Sequence, residues 1–211
     1  MPVSDLTLPI QQTKLEQRRI LRQQRLCIPV SKRKQATKRC NRYLFRIIRR
    51  RKRIGVYWAM GSELSLYEFI TVAQRRGAFI YLPYIMPEQK RLWFSICTHI
   101  NTKNLNQIDS KRQYNKFNKS NAVSKSSIKP KIRAHQLHTL VLPLIGINYQ
   151  GIRLGQGGGF YDVTLTNNRH RLSPSLIGTG FACQQIRDLA HESHDYSVHA
   201  FVCETGWQWF R

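Results

Sequence analysis

The sequence predicts one α/β domain: a mostly parallel sheet with helices on both faces. Three observations carry the prediction. Ile54–Ala59 and Ala78–Pro83 are short apolar runs separated by a helical stretch, Ser65 to about Arg76, with Gly77 closing it. A strand, a helix and a strand in that order make a parallel crossover. A second apolar run, Leu137 to Ile147, leads into Arg153-Leu-Gly-Gln-Gly-Gly-Gly-Phe-Tyr-Asp162, and a helix is expected from Phe160 to about His170. Finally, 211 residues with 41% hydrophobic content fit one domain, long enough to bury about 70% of the unfolded chain's surface.

Residues 1–13 read as a flexible tail, which leaves 14–211 as the domain. Lys14 to about Cys27 is an expected helix with a partial apolar stripe of Leu15, Ile20, Leu21 and Leu26. Pro29 and Ser31 mark a break, with Ser31 as candidate N-cap. The second helix then runs to about Arg50 and turns Tyr43, Leu44, Ile47 and Ile48 inward. Leu92–Cys97 is a strand. Residues 101–133 are polar and basic and read as a long loop, a length that is usually functional or disordered. Ser175–Gly180 and Val198–Cys203 are further strands, with a short helix or turn at Gln184–Leu189 between them.

Gly155, Gly157, Gly158 and Gly159 place four glycines in five positions. Glycine adopts φ > 0 at little cost and lets a ligand approach the backbone. Consecutive N–H groups in such a loop can form an anion-binding nest, and a loop feeding a helix is a phosphate site. Arg153 adds a cation, and Asp162 puts a hard oxygen where a phosphate-bound Mg²⁺ would sit. The spacing fits neither a dinucleotide fingerprint nor a Walker A loop. A plain tight turn needs only one or two glycines. Valine at Gly158 is expected to crowd a phosphate and to exclude φ > 0.

Thirty-five Lys and Arg against eleven Asp and Glu give a net charge of +24. Lys14 to Arg53 alone holds seventeen cations and one acid, Glu16. Such a surface attracts polyanions. It suits a nucleic-acid-binding protein or an enzyme of anionic ligands, and it can also reflect compositional drift. No zinc-finger or RNA-recognition motif is present. No apolar run approaches the ~20 residues of a membrane span, and Met1–Gln12 lacks a signal-peptide pattern, so a cytoplasmic location is expected. Five cysteines without a C-x-x-C pair point to reduced, mostly buried thiols. His191 and His194 read as solvated loop residues rather than metal ligands.

Pro143-Leu-Ile-Gly-Ile147 and then Gly151-x-Arg-Leu-Gly-x-Gly-Gly-Gly-Phe-Tyr-Asp162 resemble the signature of the 5-formyltetrahydrofolate cyclo-ligase (methenyltetrahydrofolate synthetase) family. The spacing of Lys14, Arg18 and Arg25 resembles the family's first helix, which brings cations to the ATP phosphates. The resemblance implies a three-layer α/β/α fold. It also implies ATP- and Mg²⁺-dependent cyclisation of 5-formyltetrahydrofolate to 5,10-methenyltetrahydrofolate, releasing ADP and phosphate through a phosphorylated formyl oxygen. On this likeness Lys14, Arg18, Arg153, Leu154, Gly155, Gln156, Gly157, Gly158, Gly159, Phe160 and Tyr161 hold ATP. Trp58, Glu63 and the stretch Gly157 to Tyr161 meet the folate. Asp162 and Asp195 hold Mg²⁺, and Arg153 and Asp162 are catalytic.

The implied partners are ATP and the folate, with or without a polyglutamate tail. No membrane is involved, and polyanion binding is incidental. The family usually has Asp where this chain has His138 and Asn148, and a Glu-Pro pair near where residues 120–123 read Ser-Asn-Ala-Val. The alternative readings are a basic nucleic-acid-binding protein and a degenerate cyclo-ligase that binds nucleotide without efficient turnover.

Overall fold

The computed structural model describes residues 13–85, 91–97, 131–166, 174–192 and 195–210. Residues 1–12 of the expected tail, residues 101–130 of the polar loop, the end of the helix after the glycine loop and His194 lie outside the described residues; Thr13, the last residue of that tail, is the N-cap of the first helix. The chain runs α1 (Lys14–Leu26), α2 (Val30–Leu44), β1 (Arg53–Gly55), α3 (Tyr67–Arg75), β2 (Phe79–Ile85), β3 (Leu92–Ile96) and β4 (Lys131–Ile132). It continues through β5 (Thr139–Pro143), β6 (Gly146–Ile147), β7 (Arg153–Leu154), α4 (Phe160–Thr166), β8 (Ser175–Thr179), β9 (Ala200–Cys203) and β10 (Gly206–Trp209).

Eight strands form one sheet in the order β10-β9-β8-β5-β1-β2-β3-β4, and β6 and β7 form a separate antiparallel hairpin. The five central strands, β9 to β2, are parallel. The edges β10, β3 and β4 are antiparallel. Side chains alternate across the sheet, as a two-residue period requires. Val141, Ile177 and Val202 pack with Cys40 and Leu44 of α2 and Phe69 and Ile70 of α3. Leu140, Leu142, Leu176 and Phe201 pack with Leu165 of α4 on the opposite face. The predicted α/β class, with helices on both faces of a mostly parallel sheet, is the observed one.

The strand order reverses between β1 and β5. β1 leads through α3 to β2 on one side, and β5 leads to β8 and β9 on the other. Open α/β sheets bind ligands beyond the carboxyl ends of their strands at such a point. α1 is fastened near this end. Leu21 is buried with Ile145, Leu154 and Leu189, and a Cβ on Gly146 would fall 2.6 Å from Leu21 Cδ1. Gln17 Nε2 donates to the Asp188 carbonyl, and Gln17 Oε1 accepts from Ala190 N–H. Thr13 and Glu16 form a capping box at its start.

Several boundaries and faces differ from the sequence reading. Of the α1 stripe only Leu21 is buried; Leu15 and Leu26 are exposed, because the inward side is completed by the polar Gln17 and Arg25. α2 begins at Val30, with Pro29 rather than Ser31 at its N-cap, and ends in a short 3₁₀ turn, Phe45–Ile47. Leu44 and Ile48 are buried, but Tyr43 is exposed. The run expected as one strand from Leu137 to Ile147 is broken after Pro143, which has no N–H to continue a ladder. The carbonyls of Leu144 and Ile145 turn instead to Gln184 Nε2. Lys131–Ile132 form β4 inside the expected loop, and β10 was not foreseen. All five cysteines are free; Cys40, Cys97 and Cys203 are buried, while Cys27 and Cys183 are exposed.

Asn41 ties α2 to α3. It is fully buried, and its Nδ2 donates to the carbonyls of Thr37 and Ser65 at 2.7 and 2.8 Å. Its Oδ1 accepts from Phe69 N–H at 2.8 Å. That N–H is among the orphan donors of a helix start, and Leu66 at the α3 N-cap supplies no side-chain bond. Asn41→Leu leaves these groups unpaired in the core and is expected to cost about 2–4 kcal/mol. Thermal unfolding should report this as a drop of about 5–15 °C.

Candidate functional site

A cleft of about 650 Å³ opens beyond the carboxyl ends of β1, β2 and β5. α1 contributes Lys14 and Arg18, the segment after β1 contributes Trp58 and Glu63, and the whole stretch Arg153 to Asp162 lines one side. Asp195 completes the set. Every residue named above for ATP, folate or Mg²⁺ therefore borders this one cavity. Arg25 does not. Its side chain is buried and Nε donates to Ser62 Oγ at 2.9 Å, so it steadies the turn before Glu63 instead of reaching the cleft. Burial lowers its pKa, with the Glu63 charge opposing.

In the glycine loop, Gly157 (φ +103°) and Gly159 (φ +67°) occupy the left-handed region, and Gly158 does not. The φ argument expected for Gly158 therefore belongs to its two neighbours; a Cβ on Gly158 would instead lie 3.0 Å from the Phe160 ring. Side chains strap the loop in place. Arg18 Nε donates to the Gly155 carbonyl at 2.9 Å, and Arg22 Nη2 donates to Gln156 Oε1 at 2.8 Å. Gln156 Nε2 donates to Glu63 Oε1 at 2.7 Å, while Glu63 Oε2 accepts from Met60 N–H.

The charged groups are paired with one another. Arg153, only 4% exposed, donates from Nη2 to Asp162 Oδ1 at 2.7 Å. Its guanidinium lies 5.6 Å from the Tyr161 ring centre, and its buried Nε has no hydrogen-bond partner among the described residues. Lys14 Nζ lies 2.7 Å from Asp195 Oδ2 and 3.0 Å from Glu192 Oε1. Glu192 also lines the cleft. Two hard carboxylates, Asp162 and Asp195, suit an Mg²⁺ that keeps waters and phosphate oxygens as its other ligands. Among the described residues no cluster of three or more His, Cys, Asp or Glu could hold a metal unaided.

The two positions where the family's acids are replaced lie away from the cleft lining. Asn148 is buried, and its Oδ1 accepts from Gln150 and Ile152 N–H, closing the turn between β6 and β7. His138 Nδ1 accepts from Arg53 N–H; burial and the charges of Lys52 and Arg53 lower its pKa. Tyr57 is a cleft residue that the sequence reading missed. It sits unmarked in an apolar run, yet its buried hydroxyl donates to the Leu64 carbonyl and contacts Thr179 Oγ1. Burial raises its pKa.

For Lys14, burial disfavours the ammonium, but its bonds to Asp195 and Glu192 outweigh this and raise the pKa above 10.5. A raised lysine pKa contributes stability below the unfolded value and loses it as pH rises through the folded one. Lys14→Gln is therefore expected to melt below the parent from about pH 7 to about pH 10. The gap should close at higher pH, where the parent's ammonium also loses its charge.

The comparisons with known proteins bear on the family and the fold. The model of the 5-formyltetrahydrofolate cyclo-ligase family matches residues 10–204. The chain is 28% identical over 147 residues to the 5-formyltetrahydrofolate cyclo-ligase of Haemophilus influenzae, covering 70% of this chain and 73% of that one. It is 27% identical over 157 residues to the Escherichia coli enzyme of the same name, covering 74% and 80%. Two solved folds are alike. A 5,10-methenyltetrahydrofolate synthetase from Mycoplasma pneumoniae superposes with a TM-score of 0.66 at 18% identity, over 92% of this chain and 99% of that one. The 5,10-methenyltetrahydrofolate synthetase of Aquifex aeolicus gives 0.69 at 16% identity, over 94% and 93%. With its sheet, its glycine loop and nearly its whole length matched, the chain belongs to the 5-formyltetrahydrofolate cyclo-ligase family of ligases.

Proposed function

We propose that the cleft holds Mg²⁺-ATP beside 5-formyltetrahydrofolate and closes it to 5,10-methenyltetrahydrofolate, with release of ADP and phosphate. The observation that carries this reading is the convergence of Lys14, Arg18, Arg153, the glycine loop, Asp162 and Asp195 around one cleft. Clustered guanidinium and ammonium groups beside a glycine loop are suited to phosphate oxygens.

The chemistry needs the formyl oxygen made into a leaving group, because it departs poorly as hydroxide. The formyl oxygen attacks the γ-phosphorus of ATP, and the bond to ADP breaks. N10 of the folate then attacks the activated formyl carbon, phosphate leaves with that oxygen, and N10 gives up its proton. Neither step calls for a protein nucleophile. The work of the chain is positioning and charge neutralisation. Lys14, Arg18 and the loop amides would hold the phosphates, while Arg153 neutralises charge at the transferred group. Asp162 and Asp195 would hold Mg²⁺, which supplies further neutralisation at the phosphate oxygens.

The charge of the lining favours a nucleotide that brings its metal. Among the described residues, four carboxylates (Glu63, Asp162, Glu192 and Asp195) face three cations (Lys14, Arg18 and Arg153). Free ATP would meet a surplus of negative groups that Mg²⁺ offsets. Trp58, Phe160 and Tyr161 offer rings for the pterin, and Glu63 offers an acceptor for its N–H groups once Gln156 releases it. A polyglutamate tail would meet the basic surface outside. A cytoplasmic location belongs to the same reading; among the described residues no helix is long and apolar enough to cross a membrane. Asn148 and His138 make their hydrogen bonds outside the cleft, which favours an active enzyme over a degenerate one.

The test is the rise in near-ultraviolet absorbance of the methenyl product. It should require ATP, Mg²⁺ and 5-formyltetrahydrofolate together. Gly157→Val should remove nucleotide binding and turnover in parallel, because valine cannot hold the backbone at φ +103°. A melt without ligand separates that loss from unfolding. No absorbance change, or a rise that ignores ATP, would contradict the reading.

A further inference from the structure

The cleft uses few of the chain's cations, and α2 arranges others in a pattern. Lys34, Lys38, Arg42 and Arg46 recur every four residues, and all are exposed. They form a row along α2 and the turn that follows it, about 6 Å apart along the axis. From Gln17 to Ser62 the sequence contains no acid, and no ion pair among the described residues includes a member of the row. Like charges at this spacing destabilise a helix, so the fold itself gains nothing from them.

The row ends on stacked aromatic rings. The Arg46 guanidinium lies 5.8 Å from the centre of the Trp207 ring. Trp207 is anchored by its Nε1, which donates to the Tyr43 carbonyl at 3.2 Å. Trp209, two residues on along β10, stacks on Trp207 with ring centres 5.0 Å apart and planes 12° from parallel. β10 is an edge of the sheet, and Trp209 is 64% exposed.

We propose that the face formed by α2 and β10 docks single-stranded nucleic acid, with the row of cations on successive phosphates and Trp209 stacked on an unpaired base. A basic track beside an exposed aromatic platform is the combination that binds single strands without sequence preference. A duplex keeps its base faces covered and could not use Trp209. An acidic membrane fits less well, because the apolar side of α2 is already buried on the sheet and cannot enter a bilayer.

The experiment titrates the full chain against a fluorescein-labelled uridine oligonucleotide of about 12 residues over a range of salt. Lys38→Ala/Arg42→Ala should make the salt slope shallower by about 1.4, at about 0.7 per phosphate contact. Trp209→Ala should weaken binding about tenfold and leave the slope in place. Removing two exposed cations elsewhere, Arg19→Ala/Arg187→Ala, should change affinity less than twofold, an estimate that treats the row as the docking track. The proposal is overturned if that control weakens binding as much as the row variant does, or if Trp209→Ala has no effect. It is equally overturned if phosphatidylserine vesicles compete fully with the oligonucleotide and shift tryptophan emission to the blue.

Discussion

A guanidinium as buried as Arg153 has to be paired, and its partner fixes the geometry around it. Asp162 is that partner, from the first turn of α4, while Arg153 sits in β7. The bond closes the intervening residues into a loop. A Cβ at Gly155 would lie 2.9 Å from Arg153 Nη1, so the ion pair also dictates a glycine inside the loop it closes. Arg18 and Gln156 then fasten the loop to α1 and to the turn at Glu63. The cleft keeps its shape because one buried charge pair is surrounded by weaker straps.

The same pairing reconciles a strongly basic protein with a mildly acidic cavity. Four of the eleven acids in the sequence line the cleft, and three of them, Asp162, Glu192 and Asp195, are held by short ion pairs with Arg153 and Lys14. Buried charges are tolerated only when matched in this way. On the proposed reading, an incoming phosphate would compete for the cations and a divalent ion for the carboxylates, so that charge would stay balanced through the exchange. The basic residues of α2 stand apart from this balance and belong to the outer surface.

How much was legible in the sequence follows from the range of each signal. The β1–α3–β2 unit and the glycine loop announce themselves through local periodicity and composition. The ring of cleft residues came from a resemblance, since nothing local links Lys14 to Asp195 at the far end of the chain. The resemblance to the family's first helix made Arg25 a third phosphate ligand, but α1 passes over the Ser62 turn by then and the side chain is captured there. Nothing local marks Asn41, because its partners are the Ser65 carbonyl just before α3 and the Phe69 N–H in its first turn. Gly158 resembled its neighbours in composition and differs from them only in backbone conformation. β10 is a strand because β9 pairs with it, and four residues are too short a run to announce a strand by themselves.

The most direct test of the account is a double-mutant cycle on the pair at its centre. Arg153→Met and Asp162→Leu would each be measured alone and together, by thermal unfolding and by ATP-dependent formation of the methenyl product. Each single change strands a charge in a buried setting and should cost about 3 kcal/mol. The double variant, with the pair replaced by apolar groups, should regain most of that stability and still show no turnover. A double variant that cyclises 5-formyltetrahydrofolate at the parent's rate would contradict the claim that this pair organises the chemistry as well as the loop.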